Sequence, residues 1–156
     1  MDDLSVADTG TAGHYLTLNS PFTNKQKAVH PLPIHMPNGE IIKSTHTVLM
    51  AHPDLPLQAR QAHLFPGLKK ALLSIGTLCE HVCEATFNNK SVHIKNKQSG
   101  KTTMRGKRDV RTNLFVLSLN QKNNLMMDST TPDGYFSGNA YECKSKKTLV
   151  YYHHAS

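Results

Sequence analysis

The chain has 156 residues, of which 38% are hydrophobic and none is Trp. This length allows one modest domain plus a tail, but not two well-filled cores. Three cysteines at irregular spacing exclude a disulfide framework, and no apolar run approaches the roughly 18 residues that span a bilayer. Since no amino-terminal signal-peptide pattern is present either, we expect a water-soluble protein in a reducing intracellular, cytoplasmic setting.

The formal net charge is +7, and much of the excess lies between Lys95 and Arg111. Such a segment attracts polyanions or acidic partners, so nucleic-acid binding is one hypothesis for it. No aromatic residue interrupts the run to stack on bases, which favours the plainer interpretation of a solvated hairpin face.

The predicted elements follow one another quickly along the chain. Alternating or β-branched runs that end at Pro, Gly, Asn or Ser are typical of strands. The predicted strands cover residues 4–7, 15–18, 32–36, 41–50, 62–65, 72–75, 84–87, 91–95, 102–105 and 114–119. One helix is predicted over residues 78–83, with Thr77 as its cap and Glu80 three positions later, as in a capping box. From Asn120 the chain turns polar, which predicts a flexible carboxyl-terminal extension and divides the chain into 1–119 and 120–156.

A hairpin is predicted at Pro37, Asn38 and Gly39, between two of these strands. Asn-Gly is the strongest short hairpin signal because both residues tolerate a positive φ. The following loop, residues 51–56, has two prolines in four positions, which excludes regular structure there. Either the hairpin or this loop is a candidate for a mobile cover.

Cys79 and Cys83 lie four positions apart on the predicted helix, with His81 between them, which raises a metal-site hypothesis. On a helix, His81 points away from the face that the two cysteines share, and no second close pair completes four ligands. We therefore expect buried thiols and no metal ion. We expect the other histidines to be at the surface: His46, His52, His63, His153 and His154.

Asp8 is the candidate for chemistry, because it follows an apolar strand and precedes Thr9 and Gly10. Peptide hydrolysis by paired carboxylates needs one ionised Asp to activate water and one protonated Asp to donate to the carbonyl oxygen. One such Asp per chain implies a two-fold dimer. The tripeptide alone is weak evidence because turns favour Asp and Gly, so a plain turn is the alternative.

Three stretches carry a resemblance to a known family. They are Val6-Ala7-Asp8-Thr9-Gly10 with His14, the apolar segment over residues 64–79 that leads through Gly76 into the predicted helix, and Ala85-Thr86-Phe87. In this order they resemble the retropepsin-like protease region of Ty1/copia-type retrotransposon polyproteins, over residues 4–119 of this chain. The tail is similar to the connection toward the integrase part of such polyproteins.

The resemblance implies a small, mainly β, retropepsin-like domain, closed or barrel-like and antiparallel, with one short α-helix. It implies that Asp8 is the catalytic acid and base, with Thr9 and Gly10 as its supporting loop. It also implies a homodimer that cleaves its own polyprotein inside a retrotransposon particle, without a metal or an organic cofactor.

The resemblance further implies where a polypeptide substrate binds. The hairpin at Pro37, Asn38 and Gly39 takes the place of a flap that closes over an extended peptide. Ile75 and Gly76 take the place of the strand end beside Asp8, where a glycine lets backbones approach closely.

Two departures from the family pattern lead to alternatives. Thr11 follows Gly10 where family members commonly have Ala, and only seven residues precede Asp8, so we expect the amino-terminal interface strand to be largely missing. An inactive protease-fold relic or binding module is therefore one alternative to an active protease. A nucleic-acid-binding module that uses residues 95–111 is the other.

Overall fold

Strands dominate the computed structural model, which describes residues 3–120 and the backbone of residues 139–141. This confirms the prediction of a mainly β chain with one short α-helix. In chain order the elements are β1 (Leu4–Asp8), β2 (His14–Leu16), β3 (Phe22–Lys27), β4 (Pro33–His35), β5 (Ile41–Lys43), β6 (His46–Met50), a 3₁₀ helix (Leu57–Arg60), β7 (Gln61–Leu64), β8 (Ala71–Ser74), α1 (Ile75–Glu80), β9 (Cys83–Phe87), β10 (Ser91–Asn96), β11 (Thr102–Arg108), β12 (Phe115–Ser118) and β13 (Asn139–Tyr141).

The strands form one large sheet and one separate hairpin. The large sheet has 11 strands in the order β13-β9-β10-β11-β12-β1-β8-β2-β7-β6-β3, and β4 pairs only with β5. Most neighbours are antiparallel, but β1 runs parallel to β8 and β2 runs parallel to β7. The expected closed or barrel-like domain is therefore not found among the described residues, whose sheet is mostly antiparallel with two parallel pairs and no closed barrel.

Alternation along the strands builds the core. In β9 the side chains of Cys83, Ala85 and Phe87 are buried, and the chain positions between them are only half-buried. Phe87 meets Phe115 edge to face, with ring centroids 5.0 Å apart. Burying a side chain of this size contributes roughly 2–3 kcal/mol, so a few such residues on adjacent strands fix the register of the whole meander.

The helix begins earlier than the sequence predicts. It starts at Ile75, and the side chain of Ser74, not Thr77, is the N-cap, because Ser74 Oγ accepts a hydrogen bond from the Thr77 N–H at 3.1 Å. The β-branched Ile75 and the following Gly76 argued for a strand end, but the serine cap outweighs both. Cys79 and Cys83 are both buried, as predicted, but Cys83 opens β9 rather than sharing a helix with Cys79.

One further prediction about the strands is wrong, and one strand was missed. Residues 41–50 form two strands in different sheets, because Ser44 bonds back to Leu32 while Thr45 joins Leu64 of the large sheet. β3 was not predicted at all. Five of its six side chains are exposed, so this edge strand carries no alternation of buried and exposed residues.

Most of the predicted extension, 121–138 and 142–156, lies outside the described residues. Within the predicted linker, however, residues 139–141 form β13, which pairs antiparallel with β9. Among the described residues there is no helix with the length and apolar character needed to cross a membrane.

Candidate active site

Asp8 is the last residue of β1, at the point where the chain leaves the sheet. In the parallel pairing of β1 with β8, Asp8 lies opposite Ser74, the last residue of β8. Asp8 Oδ1 accepts a hydrogen bond from the Gly10 N–H at 2.7 Å, which forms a tight turn. The carboxylate is thus held at the mouth of the loop over residues 8–13, called here the Asp8 loop.

The Asp8 carboxylate lies on the face of the sheet opposite the core. Ser5 and Ala7 alternate toward the core, where Ser5 Oγ donates to the Leu117 carbonyl and Ala7 packs on the buried cluster. Leu4, Val6 and Asp8 therefore share the other face. Val6 is half-buried there, so the carboxylate has an apolar neighbour on its own strand.

Residues at the start of α1 brace the Asp8 loop. Ser74 Oγ donates to the Thr11 carbonyl at 3.0 Å, and Thr77 Oγ1 donates to the Ala12 carbonyl at 3.3 Å. Ser74 is fully buried, so its hydroxyl both caps the helix and fixes the loop. The sequence predicted Thr77 only as a helix cap, and Ser74 was not predicted as a site residue, although Ser at a strand end before a helix is a favoured cap.

His14 ties the far end of the Asp8 loop to two other elements. Its Nδ1 accepts from the Ser74 N–H at 2.9 Å, and its Nε2 donates to the Ala59 carbonyl at 2.8 Å. These partners require the neutral ring with the proton on Nε2. Burial lowers the pKa of His14 to about 4, a change that the bond to Ala59 opposes and that His63 and His81 add to. His14 is therefore a structural residue that stays neutral at mildly acidic pH.

The charge of Asp8 acts on Tyr15, which directly follows His14. Burial raises the pKa of the Tyr15 phenol, a hydrogen bond with the Ala12 backbone opposes this, and the charge of Asp8 adds to the rise. The ring meets Phe65 edge-on, with centroids 5.0 Å apart. Tyr15 also lies opposite Leu72 of β8, the strand that pairs with β1.

Two hydroxyl groups of the Asp8 loop are buried without a hydrogen-bond partner among the described residues: Thr9 Oγ1 and Thr11 Oγ1. Thr9 has only 7% of its surface exposed. A buried hydroxyl without a partner costs roughly 1–3 kcal/mol. Such atoms next to a candidate carboxylate call for a functional explanation.

The residues predicted to bind substrate fall in two places. Beside Asp8, β8 ends at Ser74, so Ser74 occupies the strand end that was assigned to Ile75 and Gly76. Ile75 and Gly76 instead open α1, and the Ile75 side chain is fully buried in the core.

The predicted hairpin forms at Pro37, Asn38 and Gly39. The Met36 N–H donates to Glu40 at 2.7 Å, and the Gly39 N–H donates to Met36 at 2.9 Å. Gly39 has φ +89°, whereas Asn38 is not among the residues with positive φ. The turn is therefore a three-residue loop with Gly in the left-handed region, because Pro37 fixes the preceding φ.

The proline-rich loop over residues 51–56 is anchored, which disfavours it as a mobile cover. Leu55 is buried, and Asp54 pairs with Lys101 at 3.7 Å. His52 has no exposed surface, so its predicted place at the surface is wrong. Burial lowers the pKa of His52, and the nearby Asp54 opposes that change. His63 and His46 are half-buried, and His153 and His154 lie outside the described residues.

The basic segment over residues 95–111 covers the β10–β11 hairpin and the turn after it. Part of its charge is used locally, since Lys95 pairs with Glu84 and Lys101 with Asp54, both at 3.7 Å. Arg108 also donates to the Asn89 carbonyl at 3.3 Å. Lys95, Lys101 and Arg108 are therefore partly engaged within the chain.

Residues 3–120 contain no cluster of three or more His, Cys, Asp or Glu side chains placed to hold a metal ion. What the site offers is one carboxylate per chain, fixed by a braced loop and bordered by half-buried apolar side chains. Comparison with protein-family models, with curated proteins and with solved structures found no match to this chain.

Proposed function

We propose that this chain supplies one half of the active site of a retropepsin-like aspartic endopeptidase, which dimerises and cleaves a Ty1/copia-type retrotransposon polyprotein. The observation that carries the proposal is the setting of Asp8. It ends a strand in parallel pairing with β8, in an Asp-Thr-Gly turn that Ser74 and Thr77 brace from the start of α1. A carboxylate held this rigidly can keep a catalytic geometry.

The chemistry needs a second copy of the chain. Two Asp8 carboxylates brought within hydrogen-bond distance cannot both stay ionised, so they share one proton. The ionised carboxylate takes a proton from water while the protonated one donates to the carbonyl oxygen of the peptide bond. When the tetrahedral intermediate collapses, the carboxyl group that took the proton from water gives it to the leaving nitrogen as the C–N bond breaks. The other carboxylate takes back a proton from a hydroxyl of the intermediate, which restores the shared proton.

Thr9 supports the dimer. Its hydroxyl has no partner among the described residues of one chain, and it directly follows Asp8. A hydrogen bond across a two-fold axis next to the carboxylate pair would satisfy it. The Thr11 hydroxyl, on the same loop, is also buried without a partner among the described residues, and it supports the same conclusion.

The surroundings of Asp8 suit an extended apolar peptide. Val6 and Leu72 lie opposite each other in the parallel pair β1–β8, and both are half-buried on the Asp8 face. They offer an apolar surface for substrate side chains beside the carboxylate. The β4–β5 hairpin, with its exposed tip at Pro37, Asn38 and Gly39, acts as the flap in this proposal and bonds the peptide backbone as an added strand.

The test is cleavage of a fused polyprotein substrate at mildly acidic pH. Asp8→Asn is expected to lower kcat/KM by on the order of a thousandfold or more while the chain stays folded and dimeric. Asp54→Asn is the matched control, because it removes a carboxylate whose ion pair with Lys101, at 3.7 Å, is partly exposed. Pepstatin-type inhibitors should abolish the activity of the unmodified chain.

Other outcomes would favour the alternatives. A folded dimer that cuts no substrate supports an inactive protease-fold relic or binding module. Tight binding of nucleic acid that weakens steeply with salt, without cleavage, supports the module based on residues 95–111.

A further inference from the structure

A pocket lies on the same face of the sheet as Asp8. Its volume is about 420 Å³, and its floor is made by Leu4, Val6 and Val116. Val6 pairs with both Val116 and Leu72, so these side chains form one row across β12, β1 and β8. The row continues to Lys107, which lies opposite Val116 on β11.

The pocket begins close to the candidate catalytic carboxylate. Leu4, Val6 and Asp8 alternate along one face of β1, and a strand rises about 3.3 Å per residue. Val6 is therefore about 7 Å from Asp8 along the strand, and Leu4 about 13 Å. An extended peptide laid along this face would reach the pocket two to about four residues from the bond over Asp8.

The rim of the pocket is positively charged. Lys70, just before β8, joins Lys107, Arg108 and Arg111 from the end of β11 and the turn that follows. Against these four cations stands one acid in the lining, Asp109, whose Oδ1 already accepts the Arg111 N–H at 2.9 Å. Lys70, Lys107 and Arg111 form no ion pair with any residue between 3 and 120.

We propose that this pocket, called here the basic pocket, binds an acidic side chain of the peptide substrate and so sets the substrate class. The preferred peptides carry Asp or Glu two to about four residues from the cleaved bond, next to apolar residues. The proposal rests on the protease function given above. A carboxylate in the pocket would meet cations that form no ion pair among residues 3–120, over a floor that lowers the local dielectric constant.

The lining favours a peptide over a nucleic acid. Among the described residues no aromatic side chain lines the pocket, so bases have nothing there to stack on. The apolar floor of Leu4, Val6 and Val116 offers nothing to a phosphate backbone but matches apolar side chains of a peptide. Leu4, with 55% of its surface exposed, is the most open part of that floor.

The test measures binding separately from cleavage. The full chain with Asp8→Asn is titrated into two fluorescent decapeptides that are apolar around a central Leu-Phe bond and carry either Glu or Gln at the third residue from it. The Glu peptide is expected to bind about tenfold more tightly. The double change Lys107→Gln with Arg111→Gln should remove that preference, because it takes from the rim two cations that form no ion pair among residues 3–120.

A matched control removes the same charge elsewhere. Lys25→Gln with Lys97→Gln changes two exposed lysines outside the pocket and should leave the tenfold preference intact. Equal binding of the two peptides overturns the proposal, as does a preference that survives in the pocket double variant. A 20-nucleotide single strand that binds more tightly than both peptides, and loses binding in the pocket variant only, would assign the pocket to nucleic acid.

The two proposals fail in different ways. If the Glu preference is found but the unmodified chain cleaves neither peptide, the basic pocket stands as an acidic-peptide site and the protease function falls. If the unmodified chain cleaves both peptides equally well, with Asp8→Asn inactive, the protease function stands and the basic pocket falls.

Discussion

The Asp8 loop and the tip of the β4–β5 hairpin are both short connections, yet they are held in opposite ways. The loop is joined to three other elements by hydrogen bonds from Ser74, Thr77 and His14. Among the described residues, the hydrogen bonds of the hairpin tip all lie between residues 36 and 40, and residues 37–40 are exposed. Local stability follows buried contacts, so the loop is expected to be rigid and the hairpin free to move. That division suits a fixed carboxylate under a mobile cover.

The largest expected effect is a loss of folding stability in acid, caused by the buried histidine of the rigid region. Because the pKa of His14 falls from 6.5 in the unfolded chain to about 4 in the folded one, the unfolded state binds more protons between these values. Stability is then complete above pH 6.5 and declines as the pH falls toward 4, by about 3 kcal/mol at 1.4 kcal/mol per pKa unit. Burial also lowers the pKa values of His52 and His63, which steepens the decline.

Urea unfolding between pH 4 and pH 7 measures this decline. His14→Gln should flatten the curve by about 3 kcal/mol, since the amide can accept from Ser74 and donate to Ala59 without titrating. His35→Gln, at an exposed position of the hairpin, is the control and should leave the slope unchanged. An unchanged slope in His14→Gln would show that the loop is not held by a neutral imidazole.

The next largest effect is expected from removing the Ser74 hydroxyl, which holds the Asp8 loop. Ser74→Ala leaves the Thr77 N–H and the Thr11 carbonyl without their partner, and we expect a loss of about 2 kcal/mol. The Asp8 loop should shift with it, so kcat should fall about tenfold or more with little change in KM. Urea unfolding and cleavage of the fused substrate check the two parts.

Ser99→Ala is the matched control for the brace. Ser99 also accepts a backbone hydrogen bond, from Lys101 at 3.2 Å, but in an exposed turn. Its loss should cost less than about 0.5 kcal/mol and leave kcat unchanged. If Ser74→Ala loses stability but keeps full kcat, the brace supports the fold without positioning Asp8.

A smaller loss of stability is expected from a substitution that tests the hairpin. Gly39 has φ +89°, and a Cβ there would meet no atom within 4 Å, so Gly39→Ala strains only the backbone. The strain costs about 1–2 kcal/mol, and if the hairpin is a flap it should raise KM several-fold with a smaller change in kcat. Gly100→Ala is closely matched, with φ +74° and equally open space, but lies in the β10–β11 turn. Equal KM values for the two variants would remove the flap assignment.

These comparisons also show how far the sequence leads. The strands of the β9–β12 meander were predictable because apolar residues such as Val92 and Ile94 alternate with polar ones. The Asp-Thr-Gly turn and the Asn-Gly hairpin were predictable because their signals are local. The hydrogen bonds that hold the Asp8 loop were not predictable. His14 and Ser74 are 60 positions apart, and only the pairing of β2 with β8 brings them together. A lone buried histidine such as His52 leaves no periodic signal in the sequence.

The smallest expected effect concerns a strained residue outside both regions. Val82, between α1 and β9, has φ +71°, a conformation that costs a β-branched residue on the order of 1–3 kcal/mol. Val82→Gly relieves this strain, but it also raises the conformational entropy of the unfolded chain. We therefore expect a net gain of up to about 1 kcal/mol in the free energy of unfolding. Val110→Gly, at an exposed position without positive φ, should instead be neutral or destabilising. Since the Val82 carbonyl accepts its hydrogen bond from the Lys97 N–H, away from both the Asp8 loop and the hairpin tip, kcat and KM should stay unchanged. A fall in kcat would mean that strain at the end of α1 helps to hold its first turn against the Asp8 loop, and the rigid region would then extend through the whole helix.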